Sequence, residues 1–182
     1  MPEPVDAELA VRATNGDEAA FSMLMRRYKV RLYQLIRRHV GDPDEAYDVL
    51  QESFVSAWGA LARFDADRPF YAWLARIALN KCRDRGRRLL IRRLFREAVP
   101  LDAAGGVPDP APAPDTIAGD RDALARLDQA ISRLPVKLKE PLLLTALDGL
   151  SQAEAADVLG VSVKTIETRV YRARQKLAAL VA

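Results

Sequence analysis

Histidine and cysteine are nearly missing from this chain: His39 and Cys82 are the only ones among 182 residues. One cysteine excludes a disulfide framework and a cysteine-based metal cluster. One histidine in a helical run reads as a boundary residue, not as a metal ligand or general base. Aromatics make up only 7%, so a core must rest mainly on Leu, Ile, Val and Ala. No apolar run approaches the ~20 residues that cross a bilayer. The opening MPEPVDAEL is acidic and has no apolar stretch, which argues against a secretory leader; a reducing, cytoplasmic compartment is the expectation. There is no glycine-rich phosphate loop, no metal-ligand spacing and no cluster of acids near the histidine, so an enzyme acting on nucleic acid is disfavoured and no cofactor or metal is expected. Period-two alternation of useful length is also lacking, and the expected fold class is all-α.

What is present is most informative near the C-terminus, in LSQAEAADVLGVSVKTIETRVYRARQKL, Leu150 to Leu177. Ser151 with Glu154 forms a capping box that starts a helix. Gly160 can turn left-handed after its end, and Ser162 can cap the next helix. Along that second helix Val163, Ile166, Val170, Ala173 and Leu177 recur three and four apart and predict one buried face. The other faces carry Lys164, Thr165, Glu167, Thr168, Arg169, Tyr171, Arg172, Arg174 and Lys176. A capped helix-turn-helix with a cationic, hydroxyl-bearing second helix fits a DNA major groove; the competing reading is a helical hairpin with a solvated charged face.

The stretch 98–120, containing VPLDAAGGVPDPAPAPDTIAG, is rich in Pro, Ala, Gly and Asp and cannot bury a core. It separates residues 1–97 from 121–182, so two small helical domains joined by a flexible linker are predicted. The first should hold four helices: about Asp6 to Thr14, stopped by Asn15-Gly16; Asp17 to His39, with Phe21, Met25, Tyr28, Leu32 and Leu35 as its core stripe; Asp44 to Arg63, with Tyr47, Leu50, Phe54, Ala57, Trp58 and Leu61 inward; and a fourth opened by Pro69 in its first turn, burying Phe70, Trp73, Leu74 and Ile77. The second should add two helices before the helix-turn-helix. One is striped by Leu124, Leu127, Ile131 and Leu134. The next runs from Pro135 to about Leu147 with Leu138, Leu142, Leu143 and Ala146 inward, distorted by Pro141.

Net charge is only +3, with a pI near 9.2, but its distribution is uneven. Asp42, Asp44, Glu45, Asp48 and Glu52 crowd the third helix. The helix dipole accounts for Asp44 and Glu45; Asp48 and Glu52 lie further in and leave a basic protein partner open as an explanation. Lys81, Arg83, Arg85, Arg87, Arg88, Arg92, Arg93 and Arg96 crowd the end of the fourth helix, and polyanionic phosphates would relieve their repulsion. Aromatics precede this run. Phe70 and Trp73 read as core, while periodicity leaves Phe64 and Tyr71 open between core and the stacking of unpaired bases.

Taken together, these segments resemble the extracytoplasmic-function (ECF) group of bacterial sigma factors, within the sigma-70 family. GDEAAFSMLMRRYKVRLYQLIRRHVGDPDEAYDVLQESFVSAWGALARFD and FYAWLARIALNKCRDRGRR are similar to the group's sigma-2 domain, and ISRLPVKLKEPLLLTALDGLSQAEAADVLGVSVKTIETRVYRARQKL to its sigma-4 domain. The resemblance implies a transcription initiation subunit without a catalytic site of its own. It implies docking of Asp44, Asp48, Gln51 and Glu52 on the β′ clamp helices of core RNA polymerase, and contact of the sigma-4 domain with the β flap. Base capture from the −10 element would fall to the Phe64–Phe70 loop with Arg68 and Tyr71. Asn80, Lys81, Arg85, Arg87 and Arg88 would hold the opened strand, and Ser162 to Lys176 would read the −35 element. An anti-sigma factor and a role in stress response are further implications. Many relatives carry a small residue in place of Lys164 and a basic one in place of Glu167, so a typical −35 motif does not carry over. A LuxR-type regulator shares GLSQAEAADVLGVSVKTIE, but the N-terminal block lacks the α/β pattern of a receiver domain.

Overall fold

The computed structural model describes residues 5–98 and 126–181, and these are helical with no strand among them. Helix α1 spans Asp6–Thr14, α2 Glu18–Val40, α3 Pro43–Ala60 and α4 Phe70–Ala98, with a 3₁₀ turn at Leu61–Arg63. Helix α5 covers 126–132. Then come α6 (Val136–Leu142), a π turn (Leu143–Leu147), α7 (Gln152–Leu159) and α8 (Val163–Val181). Of the expected linker only Ala98 is described, and it ends α4; the rest of it and Leu124 lie outside the described residues.

Local chemistry sets these boundaries. Asp17 caps α2 by accepting from Ala20 N, and Asp42 caps α3 by accepting from Glu45 N, each satisfying an amide that the helix leaves unpaired. Gly41 ends α2 at φ 89°, a left-handed conformation suited to glycine. The predicted capping box is present: Glu154 N donates to Ser151 Oγ and Ser151 N to Glu154 Oε2. Gly160 follows at φ 65°, and Ser162 Oγ accepts from Thr165 N. Pro141 has no N–H to give, and the helix widens after it: Asp148 N reaches back to Leu143 O at 2.9 Å, a five-residue step.

Helices α1 to α4 wrap one core through Leu9, Leu24, Leu32, Ile36, Val49, Leu74 and Leu79, each at most 1% exposed. Burial at this level contributes about 1.5–3 kcal/mol per large side chain. Helices α5 to α8 enclose Ile131, Leu143, Leu144 and Ile166 in the same way. Four inward assignments fail. Tyr47 and Trp58 are half-exposed, each lying on a neighbouring ring at the surface: Tyr47 on Tyr33 at 4.6 Å and Trp58 on Phe21 at 4.9 Å between centroids. Ala146 is exposed because the wide turn delays helix rotation and places Leu143 and Leu144 inward instead. Val163, at the first position of α8, remains 41% exposed.

The two units are packed together. Helix α7 lies against α4, and the π turn against α2.

Candidate nucleic-acid and protein interfaces

Helix α8 presents the clearest of the surfaces. Ile166, Val170 and Ala173 seat it on α6 and α7, while Lys164, Glu167, Thr168, Tyr171, Arg172 and Arg174 are exposed. At 3.6 residues per turn, Lys164, Thr168, Tyr171 and Gln175 line the side opposite the buried stripe, with Arg172 beside them. Glu167 follows Ile166 by one residue and falls on a flank with Arg174. Gln175 was not among the expected contacts, yet it donates to the Tyr171 hydroxyl at 2.8 Å and so holds that exposed ring. The Thr168 hydroxyl donates to Lys164 O, and the Ser162 and Thr165 hydroxyls pair at 2.8 Å. Arg169 is only partly exposed.

The acidic face of α3 is also open: Asp44, Asp48, Gln51 and Glu52 are all exposed. It is not free of cations. Arg85 of α4 lies 3.4 Å from Asp48 and 3.7 Å from Glu45. A residue expected to hold phosphate is therefore paired to the face expected to hold protein. Asp48, Gln51, Glu52, Val55, Lys81 and Arg88 together line a shallow groove between the two helices.

On the remaining part of α4 the expected residues separate. Arg87 pairs with Asp84, while Arg88 and Asn80 are exposed and Lys81 is partly so. Asn80 Oδ1 accepts from Arg83 at 2.9 Å. Phe64 is partly buried against Phe70 and Trp73. A cavity of about 330 Å³ opens beside it, lined by Arg68, Trp73 and Arg76 and walled by Glu154 and Asp157 of α7. Tyr71 does not reach solvent. It is 4% exposed, under the Arg31 guanidinium at 3.6 Å from the ring centroid. The open choice for Tyr71 thus resolves to core in this arrangement, because Asp148 and Arg31 close over it.

That closure is made by ionic contacts between the units, none of which was anticipated. Arg31 donates to Asp148 Oδ1 at 3.1 Å and to Asp148 O at 2.6 Å. Glu140, 4% exposed, accepts from Arg83 at 2.7 and 2.5 Å and meets His39 Nε2 at 3.2 Å. The buried Lys139 ammonium donates to His39 O at 3.1 Å and Ser132 O at 2.8 Å. Arg76 donates to the carbonyls of Val158 and Asp157 at the end of α7. Burial alone would push the Glu140 carboxyl up, but the hydrogen bonds from His39 and Arg83 bring it below the ordinary value. Burial pushes Asp148 up, only partly offset by Tyr71 and Arg31. Burial also lowers the Lys139 ammonium and raises the Tyr71 hydroxyl. Tyr71 Oη and Asp148 Oδ2 are both buried without a well-formed hydrogen bond. Cys82 is buried, and its thiol is pushed up to about 12, chiefly by burial.

Two family matches cover most of these surfaces: sigma-70 region 2 over residues 24–90 and sigma-70 region 4 over residues 124–177. The chain is 44% identical to the RNA polymerase sigma factor CnrH of Cupriavidus metallidurans over 98% of its length and 95% of that protein. It is 32% identical to the ECF RNA polymerase sigma-E factor of Escherichia coli, over 94% of this chain and 92% of that one. Its fold is similar to CnrH solved in complex with the cytosolic domain of CnrY, with a TM-score of 0.71, 41% identity and 96% of each chain covered.

Proposed function

Because the chain belongs to the sigma-70 family of RNA polymerase sigma factors, in its ECF group, we propose the following division of labour along it. Residues 1–97 bind core polymerase and the −10 element, 98–120 link the units, and 121–182 read the −35 element. The observation that carries this reading is the outer face of α8: a capped helix-turn-helix with Lys164, Thr168, Tyr171 and Arg172 exposed on one helix. Ser162, Thr165, Glu167, Arg169 and Arg174 complete the −35 surface. Asp44, Asp48, Gln51 and Glu52 form the polymerase face. Phe64, Arg68, Asn80, Lys81, Arg87 and Arg88 meet the −10 element, joined by Tyr71 and Arg85 once they are released from their present partners. The chain supplies promoter selection and no catalysis of its own. Among the described residues no helix is long and apolar enough to cross a membrane.

The packed arrangement is a closed form. Glu140 occupies Arg83, which holds Asn80; α7 walls the cavity at Phe64; Asp148 and Arg31 cover Tyr71. Promoter binding requires these contacts to open. An anti-sigma factor that favours closure is the partner this geometry accommodates. Its support is that CnrH, a relative at 41% identity, has been solved bound by the cytosolic domain of a second protein. Run-off transcription with core polymerase on genomic DNA, with start sites mapped, tests the main reading. Specific starts that depend on the chain are expected. Transcripts identical with and without it would overturn the assignment.

A further inference from the structure

Two hydroxyls on the outer face of α8 have their hydrogen-bond polarity set by the helix itself. Thr168 gives its proton to Lys164 O at 2.9 Å, so its oxygen has only lone pairs left to offer. Tyr171, one turn on, is the reverse. Its hydroxyl accepts from Gln175 Nε2 at 2.8 Å, which fills the acceptor side and leaves the proton free to be donated outward. The four-residue step from Tyr171 to Gln175 places both side chains on one side of the helix.

The fold does not depend on this pair. Tyr171 is 63% exposed and Gln175 is exposed, while Ile166, Val170 and Ala173 seat α8 from its other side. A surface bond of this spacing adds little to a helix already held by burial. What the pair does is fix an aromatic ring and one proton on the side that a helix-turn-helix presents to the major groove. A group held in place before binding loses less freedom on binding. A hydroxyl that can only donate also distinguishes bases. Guanine shows N7 and O6 in that groove and thymine shows O4, all acceptors, whereas cytosine shows the N4 amino group, a donor. A donor set against a donor leaves both unpaired.

We propose that Gln175 is a positioning residue that determines specificity in the −35 reader: it fixes the Tyr171 hydroxyl as a donor and so selects guanine or thymine over cytosine at the base Tyr171 meets. That α8 lies in the groove rests on the sigma-factor reading; the polarity rests on the hydrogen bond alone. The test selects −35 sites from a randomised library with the full chain bound to core polymerase, for wild type and three variants. Tyr171→Phe keeps the ring and removes the hydroxyl. Preference at one position should fall about three- to tenfold, the worth of one hydrogen bond, with the other positions unchanged. Gln175→Glu puts an acceptor-only carboxylate where the amide donor stood. Tyr171 must then give its proton to that carboxylate, and its oxygen meets the groove as an acceptor. Preference at the same position should turn towards cytosine or adenine, whose amino groups donate. The added negative charge weakens binding to every sequence, so the ratio between bases is the readout. The double variant Tyr171→Phe/Gln175→Glu should show the flat preference of Tyr171→Phe. All three variants alter exposed side chains and should melt as wild type does by circular dichroism. An identical motif from Gln175→Glu and wild type would overturn the proposal. So would uniform weakening in Tyr171→Phe, which would place the hydroxyl on a phosphate. A shift that persists in the double variant would overturn it too, since the carboxylate would then act through Arg172 and not through the hydroxyl. Wild type selecting no motif at all would instead remove the sigma-factor reading on which the groove contact rests.

Discussion

Glu140→Gln should open the molecule. Glu140 is 4% exposed and ties α6 to α4 through Arg83 and to α2 through His39. Removing one partner of a buried ion pair costs about 3–5 kcal/mol. The Arg83 side chain is 35% exposed, so water recovers part of that loss, and about 2–3 kcal/mol is the expected weakening of closure. That shifts the closed-to-open ratio by about 30- to 150-fold. A closed state favoured by a few kcal/mol would become roughly half open. The amide is nearly isosteric with the carboxyl, so each unit should stay folded.

The measurement is energy transfer between dyes at Val55→Cys in α3 and Leu180→Cys in α8, both exposed positions in different units. Cys82 does not interfere: it is buried, with its thiol pushed up to about 12. Transfer should fall in Glu140→Gln and change little in Arg38→Gln, because the Arg38–Asp128 pair is more open at 3.5 Å. Adding Arg83→Gln to Glu140→Gln should cost less than it does alone, since the two share one interaction. Transfer unchanged by Glu140→Gln, or lowered equally by Arg38→Gln, would refute the view that Glu140 holds the units together.

The same pair of dyes reads pH. Asp148 is raised by burial, so it favours closure when protonated and opposes it as pH rises; Glu140 is lowered, so its contribution is present above the ordinary carboxylate range and lost as pH falls through its folded value. In Asp148→Asn only the Glu140 effect remains, and transfer should fall steadily on acidification; a rise would contradict the assignment. Asp48→Lys/Glu52→Lys should slow association with core polymerase and reduce its salt dependence, as stopped-flow mixing at several salt concentrations would show. Arg172→Ala should cost about 1–3 kcal/mol and relax preference at one −35 position. Arg88→Ala should instead weaken all sequences alike and flatten the salt slope, more than Arg85→Ala, because Arg85 is already paired; site selection with titrations in salt separates the three. Glu167→Gln should move preference at one −35 position from cytosine towards adenine, and an unchanged motif from a randomised library would make Glu167 a bystander on the flank of α8.

The features legible in the sequence are those written over a few residues. The Ser151–Glu154 box, Gly160, the Ser162 cap and the α8 stripe each depend on spacings of three to nine, and each is found where expected, the stripe from Ile166 onward. The contact between the units could not be read this way, since His39 and Glu140 are 101 residues apart. A local trace of it exists nonetheless. Lys139 and Glu140 stand four residues before Leu143 and Leu144, on the two most buried lines of that segment, so charges there must have partners. Tyr71 was ambiguous for a related reason: its line continues through Ala75, Ala78 and Cys82, small residues that make a weak stripe for periodicity to detect.

The basic run shows how this affects function. From sequence, its cations repel one another and call for a polyanion. Among the described residues three of them meet carboxylates instead: Arg83 meets Glu140, Arg85 meets Glu45 and Asp48, and Arg87 meets Asp84. Only the last of these acids lies within the run. On the proposed −10 contact, promoter binding would be an exchange of carboxylates for phosphates and not the filling of a vacant cationic groove. Such an exchange lowers the gain per arginine, because each must first leave an existing partner. The gain is largest at Arg88, which is exposed at no such cost, and smallest at Arg83, whose release also separates the two units. On the proposed −10 contact, the arginine nearest the closure would couple opening of the molecule to the grip on DNA, with Glu140 setting the threshold for both.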